Sequence, residues 1–405
     1  MIDAVRRGVD ARLDDLYDLT TRLVRERSLL GHEQGAQAII AERLARLGLD
    51  VRRVAIDPNT ALADPHGGYP AVSYAGRTNV AARLAGSHAG RSLHLSGHVD
   101  VVPVDQPDRW AFDPWAAVVR DGRLYGRGAG DMKAGLAAYL VAVDVFLDLY
   151  GPPRGDLVFT SVIEEECGGN GMRSVLEAGY DADATLIGEP TALGLMHGGV
   201  GVIWARLSAS GAGAHAAVAS HVPPPLDALL AAVVALRQLE HDLNTGPHDA
   251  LYRAASDHPY NLNLGEVYGG VWPSSVPAGV TLRVRLGFGR DLEPHDAQRL
   301  VAGRVAQAAP TVRVAFDGFR AHAYHHDPDT PFGGVLAAAH HDLYGAAPAR
   351  YVSTGTTDAR YVTGPCYCYG PLAGNGHAID EWVDLQSVRD TAVAVAVLLV
   401  RWLGG

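Results

Sequence analysis

Between residues 51 and 187, short apolar strands alternate with helical stretches. That rhythm leaves few folds open, and the one it implies is an α/β layer with a mostly parallel central sheet. Strands are expected at Val51–Ile56, Asn79–Leu84, Ser92–Leu95, Leu157–Ile163 and Ala184–Ile187, with an apolar helix at Leu136–Leu149. The first 50 residues read as two helices. In the second, about Glu33–Leu47, Ile39, Ile40, Leu44 and Leu47 form one stripe and Gly48 supplies a C-cap. From about Leu193 the pattern changes to longer alternating strands, VIWARLSAS and VTLRVRLGF, around one helix at Leu226–Leu239, and closes with Val312–Phe316. This is the rhythm of a smaller α+β unit with an antiparallel sheet. Beyond Ala321 the α/β character returns, with helices at Pro331–Leu343 and Leu385–Leu403. The expected organisation is one discontinuous domain, residues 1–192 and 321–405, interrupted by a second, 193–320.

Size agrees with two domains, because 405 residues exceed the roughly 250 to 300 at which a single core usually splits. The hydrophobic fraction of 48% excludes a disordered chain, and a net charge of −11 argues against a nucleic-acid or anionic-membrane surface. The three cysteines, Cys167, Cys366 and Cys368, cannot frame a disulfide scaffold and fit a reducing compartment; Cys366 and Cys368 alternate along an expected strand, where packing explains them. The N-terminal segment reads as an amphipathic helix rather than a signal peptide. The apolar run Thr391–Val400 has ten residues, whereas a bilayer span needs roughly 20. The expected setting is cytoplasmic. The 18 histidines matter only where their spacing supports a metal site.

Five segments carry chemistry. In LHLSGHVDVV, His98 and Asp100 end a strand two residues apart, so both leave the same face while Val99 enters the core. A carboxylate there can fix the tautomer of a ligating imidazole. In GRGAGDMKAG, Asp131 lies in a glycine-rich turn before a helix, where it could simply be an N-cap. SVIEEECGGNG places Glu164, Glu165 and Glu166 directly after a strand; three successive acids repel one another unless a cation lies among them, the plain alternative being a solvated loop. LIGEP puts Glu189 just beyond the next strand, and GPLAGNGHAIDEW puts His377 in a loop before the last helix. The carboxyl ends of parallel strands are where α/β proteins build sites.

In this order, the five segments resemble the di-zinc metallopeptidase and amidohydrolase family of acetylornithine deacetylase, succinyl-diaminopimelate desuccinylase, aminoacylase-1 and carboxypeptidase G, over nearly the whole chain. The resemblance implies that His98, Asp131 and Glu189 hold one zinc and Asp131, Glu166 and His377 the other, with Asp131 bridging. Co²⁺ or Mn²⁺ suits the same donors. It further implies Glu165 as general base, Asp100 as the carboxylate behind His98, and His215, in SGAGAHAAVASH, as a lid histidine reaching the partner's site in a homodimer. From the sequence alone, His215 reads equally as an exposed loop residue.

At the substrate end the chain departs from the family. Many relatives carry Asn in a GGxxxNVVP turn and Arg at the end of the following strand. Here Ser274 stands at the Asn position and Gly287 at the Arg position, with Arg285 two residues earlier on the same face. Arg360 and Asn263 are the candidates for holding a substrate carboxylate or carbonyl; each could instead be a structural partner, Arg360 of Asp358. The WPSSVP turn also resembles relatives that include N-formyl-aminopyrimidine deformylases. The expected activity is deacylation of a small N-acyl amino acid or a related N-acyl or N-formyl amine. A dipeptidase or carboxypeptidase on the same scaffold is the second enzyme reading, and a metal-binding relative without catalysis the third.

Overall fold

The computed structural model describes residues 1–247 and 249–404. Its larger sheet has nine strands, and the four at its centre, in the order Leu157–Val162, Leu93–His98, Thr185–Ile187 and Cys366–Cys368, run parallel. Every residue of these four is buried, as expected of parallel strands covered on both faces, and the polar ones among them, His94, Ser96, Thr160, Ser161 and Thr185, are buried too. Antiparallel strands flank this centre: Thr78–Leu84 and Asp50–Ala55 on one side, Leu195–Gly199 and Tyr324–His325 on the other.

Two helices, Ala134–Tyr150 and Leu385–Leu403, pack together beside the sheet and receive Ile2–Asp10. Ala134–Tyr150 is apolar on nearly every side because it lies between the sheet and that outer layer. Gly135 sets its depth: a Cβ there would stand 1.9 Å from the Gly188 carbonyl oxygen. The helix start is therefore pressed directly onto the strand end that carries Glu189.

The second sheet has four antiparallel strands in the order Leu262–Gly269, Gly279–Phe288, Gly201–Ser210, Arg313–Ala321. In Gly279–Phe288 the residues Val280, Leu282, Val284 and Leu286 are buried, while Thr281, Arg283 and Arg285 take the other face. The Pro225–Thr245 and Pro294–Ala308 helices cover the buried face and pack on each other. A separate hydrophobic core lies between them and the sheet.

Two expectations need correction. Residues 2–25 form two helices, Ile2–Asp10 and Leu13–Arg25, broken at Ala11 and Arg12, so three helices precede the first strand. The break has neither Gly nor Pro, and the helical periodicity runs through it. The smaller unit holds more than one helix. Pro294–Ala308 lacks a strongly apolar face but buries Ala297, Val301 and Val305 at four-residue intervals behind a Glu293–Asp296 capping box; Ala250–Ala255 is a further short helix. Gly48, at φ +84°, does end the Gln34–Arg46 helix in the left-handed region. No helix among the described residues is long and apolar enough to cross a membrane.

Candidate metal centre

Three adjacent parallel strands deliver their ends to one point. His98 closes Leu93–His98, Glu165 and Glu166 follow Leu157–Val162, and Glu189 follows Thr185–Ile187. Two loops complete the cluster. Asp131 sits in the turn before the Ala134–Tyr150 helix with non-helical backbone angles and caps nothing. His377 sits at φ +60° in a loop where Asn375 and Asp380 are also left-handed, a strained conformation pinned by Asn375 Nδ2 donating to the Asp380 carbonyl and Ala111 N–H donating to the Asp380 carboxylate.

Asp131 stands between the two imidazoles. Its Oδ1 is 3.2 Å from His98 Nε2 and its Oδ2 is 3.1 Å from His377 Nε2. Glu189 Oε1 lies 4.0 Å from His98 Nε2, and Glu166 Oε2 3.0 Å from His377 Nε2. The structure thus brings together all five residues expected to bind metal, in two groups that share Asp131. His98 Nδ1 is 3.0 Å from the Asp100 carbonyl oxygen, which fixes that nitrogen as the donor and leaves Nε2 for the cleft. The Asp100 carboxylate stands 3.7 Å from Nδ1 and instead accepts the N–H groups of Glu165 and Glu166. It therefore shapes the glutamate turn as much as it orients the histidine.

The charges in this cluster are strongly perturbed. Glu166, through its charge, with Asp131 adding, holds the His377 pKa up at about 11. Burial pushes Glu189 up to about 8, with Asp131 and Asp358 adding to the shift and His98 opposing it. Burial raises Glu165 and Glu166 as well, the Asp358 charge adding to the first and Asp131 to the second. Burial works against Asp131 ionising, yet hydrogen bonds from the two imidazoles hold it well below the usual carboxylate range. Carboxylates and imidazoles converging in this way match what one or two divalent cations need: anionic oxygens, one imidazole nitrogen on each side, and a carboxylate able to bridge.

The run of three acids is not one cluster. Glu164, at φ +69°, turns away and is fully buried, accepting from Tyr74 Oη at 2.7 Å and Asn170 Nδ2 at 3.2 Å, with Arg77 Nη1 3.9 Å away. Only Glu165 and Glu166 reach the cleft, so the repulsion expected of three acids is relieved partly by a separate buried network.

The cleft has a volume of about 470 Å³ and lies between the cluster and the face of the smaller sheet that carries Arg283 and Arg285. Asn263, Trp204, Arg283 and Arg285 form its far wall. Arg360 does not line it. Its side chain is 0% exposed behind Glu165, with Nη1 3.6 Å from Glu165 Oε1 and Nη2 3.8 Å from Asp358 Oδ1. The expected substrate contact of Arg360 is thus replaced by a contact to Glu165. His215 is exposed in the strand Ala214–His215, outside the cleft, where its Nδ1 accepts the Ala217 N–H. That strand pairs with Ser275–Val276, and Ala216 N–H donates to the Ser274 carbonyl, so Ser274 lies with His215 and away from the cleft of the same chain.

Two supporting residues had no sequence signal that singled them out. Glu381 Oε1 accepts the N–H groups of Gly130 and Asp131, and Arg127 Nη1 pairs with Glu381 Oε2.

Residues 94–401 match the peptidase family M20/M25/M40. The chain belongs to this family. It is 32% identical over 407 residues to the succinyl-diaminopimelate desuccinylase of Rhodospirillum centenum, covering 96% of this chain and 98% of that one. Among solved structures it resembles the di-peptidase Dug1p of Saccharomyces cerevisiae, with a TM-score of 0.82 at 17% identity over 100% of this chain and 99% of the other. A family M20 metallo-carboxypeptidase from Sulfolobus solfataricus gives a TM-score of 0.76 at 16% identity, covering 94% and 97%. These structures share the fold; the family assignment makes the chain a hydrolase of amide C–N bonds.

Proposed function

We propose that the protein is a di-metal deacylase that hydrolyses the amide of a small N-acyl amino acid, an N-succinyl amino acid being the class named by its 32% identical relative. The observation carrying this reading is Asp131 offering one oxygen to each of two His-carboxylate groups while Glu165, bound to neither imidazole, stands beside them. His98, Asp131 and Glu189 would hold one cation and Asp131, Glu166 and His377 the other, with zinc, cobalt or manganese suited to the donors. Cations bound there supply Lewis acidity, polarising the amide carbonyl and lowering the pKa of a water.

The chain's own groups do the rest. Glu165 is the base that takes the proton of the attacking water and returns it to the leaving nitrogen. Burial and the Asp358 charge raise its proton affinity above an ordinary glutamate's, while the Arg360 guanidinium keeps its carboxylate in place. Asp100 fixes the backbone of Glu165 and Glu166 as well as the His98 tautomer. Chelation of the divalent metal is expected to abolish release of a carboxylic acid from N-succinyl, N-acetyl or N-formyl substrates, and Zn²⁺ or Co²⁺ to restore it. Glu165→Gln is expected to retain metal and lose turnover by on the order of 100- to 10,000-fold. Cleavage of dipeptides with no deacylation would transfer the assignment to the dipeptidase reading.

The same proposal includes a homodimer formed through the smaller sheet. Its support is the outer strand Leu262–Gly269 with exposed Val267 and Tyr268, the adjoining Val271 (96% exposed) and Trp272, and the exposed Leu230 and Val234 of the Pro225–Thr245 helix. In such a dimer His215 serves the partner's cleft. A fully active monomer at low concentration would remove that role.

A further inference from the structure

The smaller sheet departs from a regular ladder in the stretch that touches the metal-bearing domain. In the strand Arg313–Ala321, Phe316 pairs with Ala205 and Arg320 with Ile203, so Asp317, Gly318 and Phe319 stand opposite Trp204 alone. A bulge of this kind bends the strand and re-aims its side chains. Gly318 permits it on two counts: its φ is +67°, and a Cβ there would stand 2.3 Å from Trp204 Cε3. Trp204 therefore lies against the bulge and meets the Phe319 ring edge to face, with centroids 5.2 Å apart. Asp317 is held from within the sheet by Arg283 Nη2 at 2.9 Å.

Gly318, Phe319 and Arg320 each reach a different part of the larger domain. The Gly318 carbonyl accepts the Tyr69 N–H at 2.8 Å. Arg320 Nε donates to the Gly67 carbonyl at 2.8 Å, and its guanidinium lies 4.8 Å over the Tyr69 ring. The segment they grip is tied to the glutamate turn, because Gly68 bonds the Asn170 amide through both its N–H and its carbonyl. Phe319 makes the second route to that turn. It is buried, and the Arg360 guanidinium lies over its ring, 5.4 Å from the centroid. Arg360 also donates to the carbonyl oxygens of Thr357 and Gly168, at 2.7 and 3.2 Å, and lies 4.6 Å over the Tyr361 ring. Those partners belong to the larger domain, whereas Phe319 comes from the smaller one. Glu165 Oε1 accepts no hydrogen bond among the described residues and has Arg360 Nη1 3.6 Å away. The Arg360 charge therefore sets the place of that carboxylate, and the rings and carbonyls set the place of Arg360. A guanidinium withdrawn from water is attracted to a ring face more strongly than an exposed one.

We propose that Phe319, carried on the bulge of the smaller sheet, is a positioning residue for Glu165: its ring face holds the Arg360 guanidinium against the Glu165 carboxylate. The inference rests on Glu165 being the base of the proposed hydrolysis. It adds that the smaller domain, beyond walling the cleft, takes part in placing that base. Phe319 acts through Arg360 and touches no reacting atom.

The test separates the ring face from the apolar bulk of the side chain. Phe319→Leu keeps an apolar group and removes the face. Phenylalanine carrying one, two or three ring fluorines at position 319 keeps the shape and progressively drains the face of negative charge, which a packing role would not register. Kinetics are followed in the metal-loaded enzyme on whichever of N-succinyl-L-alanine, N-acetyl-L-alanine and L-alanyl-L-alanine the wild type cleaves, with Glu165→Gln as control. Phe319→Leu is expected to lower kcat about tenfold with KM within about threefold, and the fluorinated series to lower kcat stepwise. Metal affinity by chelator competition should stay within about threefold of wild type throughout. A rise in KM at constant kcat would make Phe319 a substrate contact, and a kcat indifferent to fluorination would make it a packing residue; either overturns the proposal. Full turnover by Glu165→Gln would remove the base itself, a failure told apart from normal kcat in the Phe319 variants while Glu165→Gln is inactive. If the wild type cleaves none of the three substrates, the deacylase reading fails, and the contact is judged by denaturant titration. The midpoint should then fall stepwise with fluorination at position 319; a level or rising midpoint overturns the ring contact independently.

Discussion

Glu381 holds Asp131 by the backbone: one carboxylate oxygen accepts the N–H groups of Gly130 and Asp131, at 3.0 Å each, while the other pairs with Arg127 Nη1 at 2.5 Å. The carboxylate that faces both imidazoles is thus oriented by a second, fully buried carboxylate that touches neither. Glu381→Gln keeps one acceptor but turns an NH₂ toward Arg127 or toward the two backbone donors. Divalent-metal affinity is expected to fall about 10- to 100-fold, measured by chelator competition, with the far-UV spectrum unchanged. Wild-type metal affinity in this variant would refute the coupling.

Arg360 illustrates how little a sequence says about depth. Its side chain is buried between two acids, 3.6 Å from Glu165 and 3.8 Å from Asp358. Arg360→Met leaves both carboxylates without their cation, and the expected loss of stability is about 3 to 5 kcal/mol by denaturant titration. Adding Asp358→Asn should recover part of it. In any folded variant kcat should fall while KM changes little; a rise in KM alone would return Arg360 to the substrate.

The strand ends were legible because an acid or histidine stands at or just beyond each expected strand: His98 after LHLSG, the run Glu164 to Glu166 after LVFTSVI, Glu189 after TLIG. Period and position together mark them. The depth and direction of neighbouring charges were not legible. Glu164, Glu165 and Glu166 are identical in type, and only the left-handed backbone at Glu164 separates the residue turned into the buried Tyr74–Asn170 network from the two that enter the cleft. Glu381 reads as one more acid in AIDEW, since its partners, two backbone N–H groups and the Arg127 guanidinium, lie at sequence separations of 250, 251 and 254. The Pro294–Ala308 helix did have a signal, Pro at the first helical position behind an acidic capping pair, which its weak apolar face masks.

Gly135 is the closest approach of helix to strand near the site, with the Gly188 carbonyl oxygen 1.9 Å from where a Cβ would lie. Backbone must move to admit even a methyl group. Gly135→Ala is expected to destabilise by at least about 1 to 3 kcal/mol, the usual range for overpacking. Because Glu189 follows Gly188 directly, metal affinity should fall in the same variant. A stable Gly135→Ala protein with full metal binding would mean that the helix start can shift freely.

His94 sets an acid limit on stability that is independent of the cleft. It is fully buried in the Leu93–His98 strand, with Nε2 2.7 Å from Thr160 Oγ1, and burial lowers its pKa to about 3. The unfolded chain takes up the proton near pH 6.5 while the folded chain does not, so between those values the unfolded state binds more protons. Stability is then full above about pH 6.5 and declines as the pH falls toward 3. At pH 5 the loss assigned to this one group is about 2 kcal/mol. His94→Gln offers an amide to Thr160 and cannot titrate, so its stability at pH 7 should be lower than wild type, yet its further loss on going to pH 5 should be smaller by that amount. Denaturant midpoints of both proteins at pH 7 and pH 5 provide the comparison. Parallel declines would show that His94 does not carry the acid sensitivity.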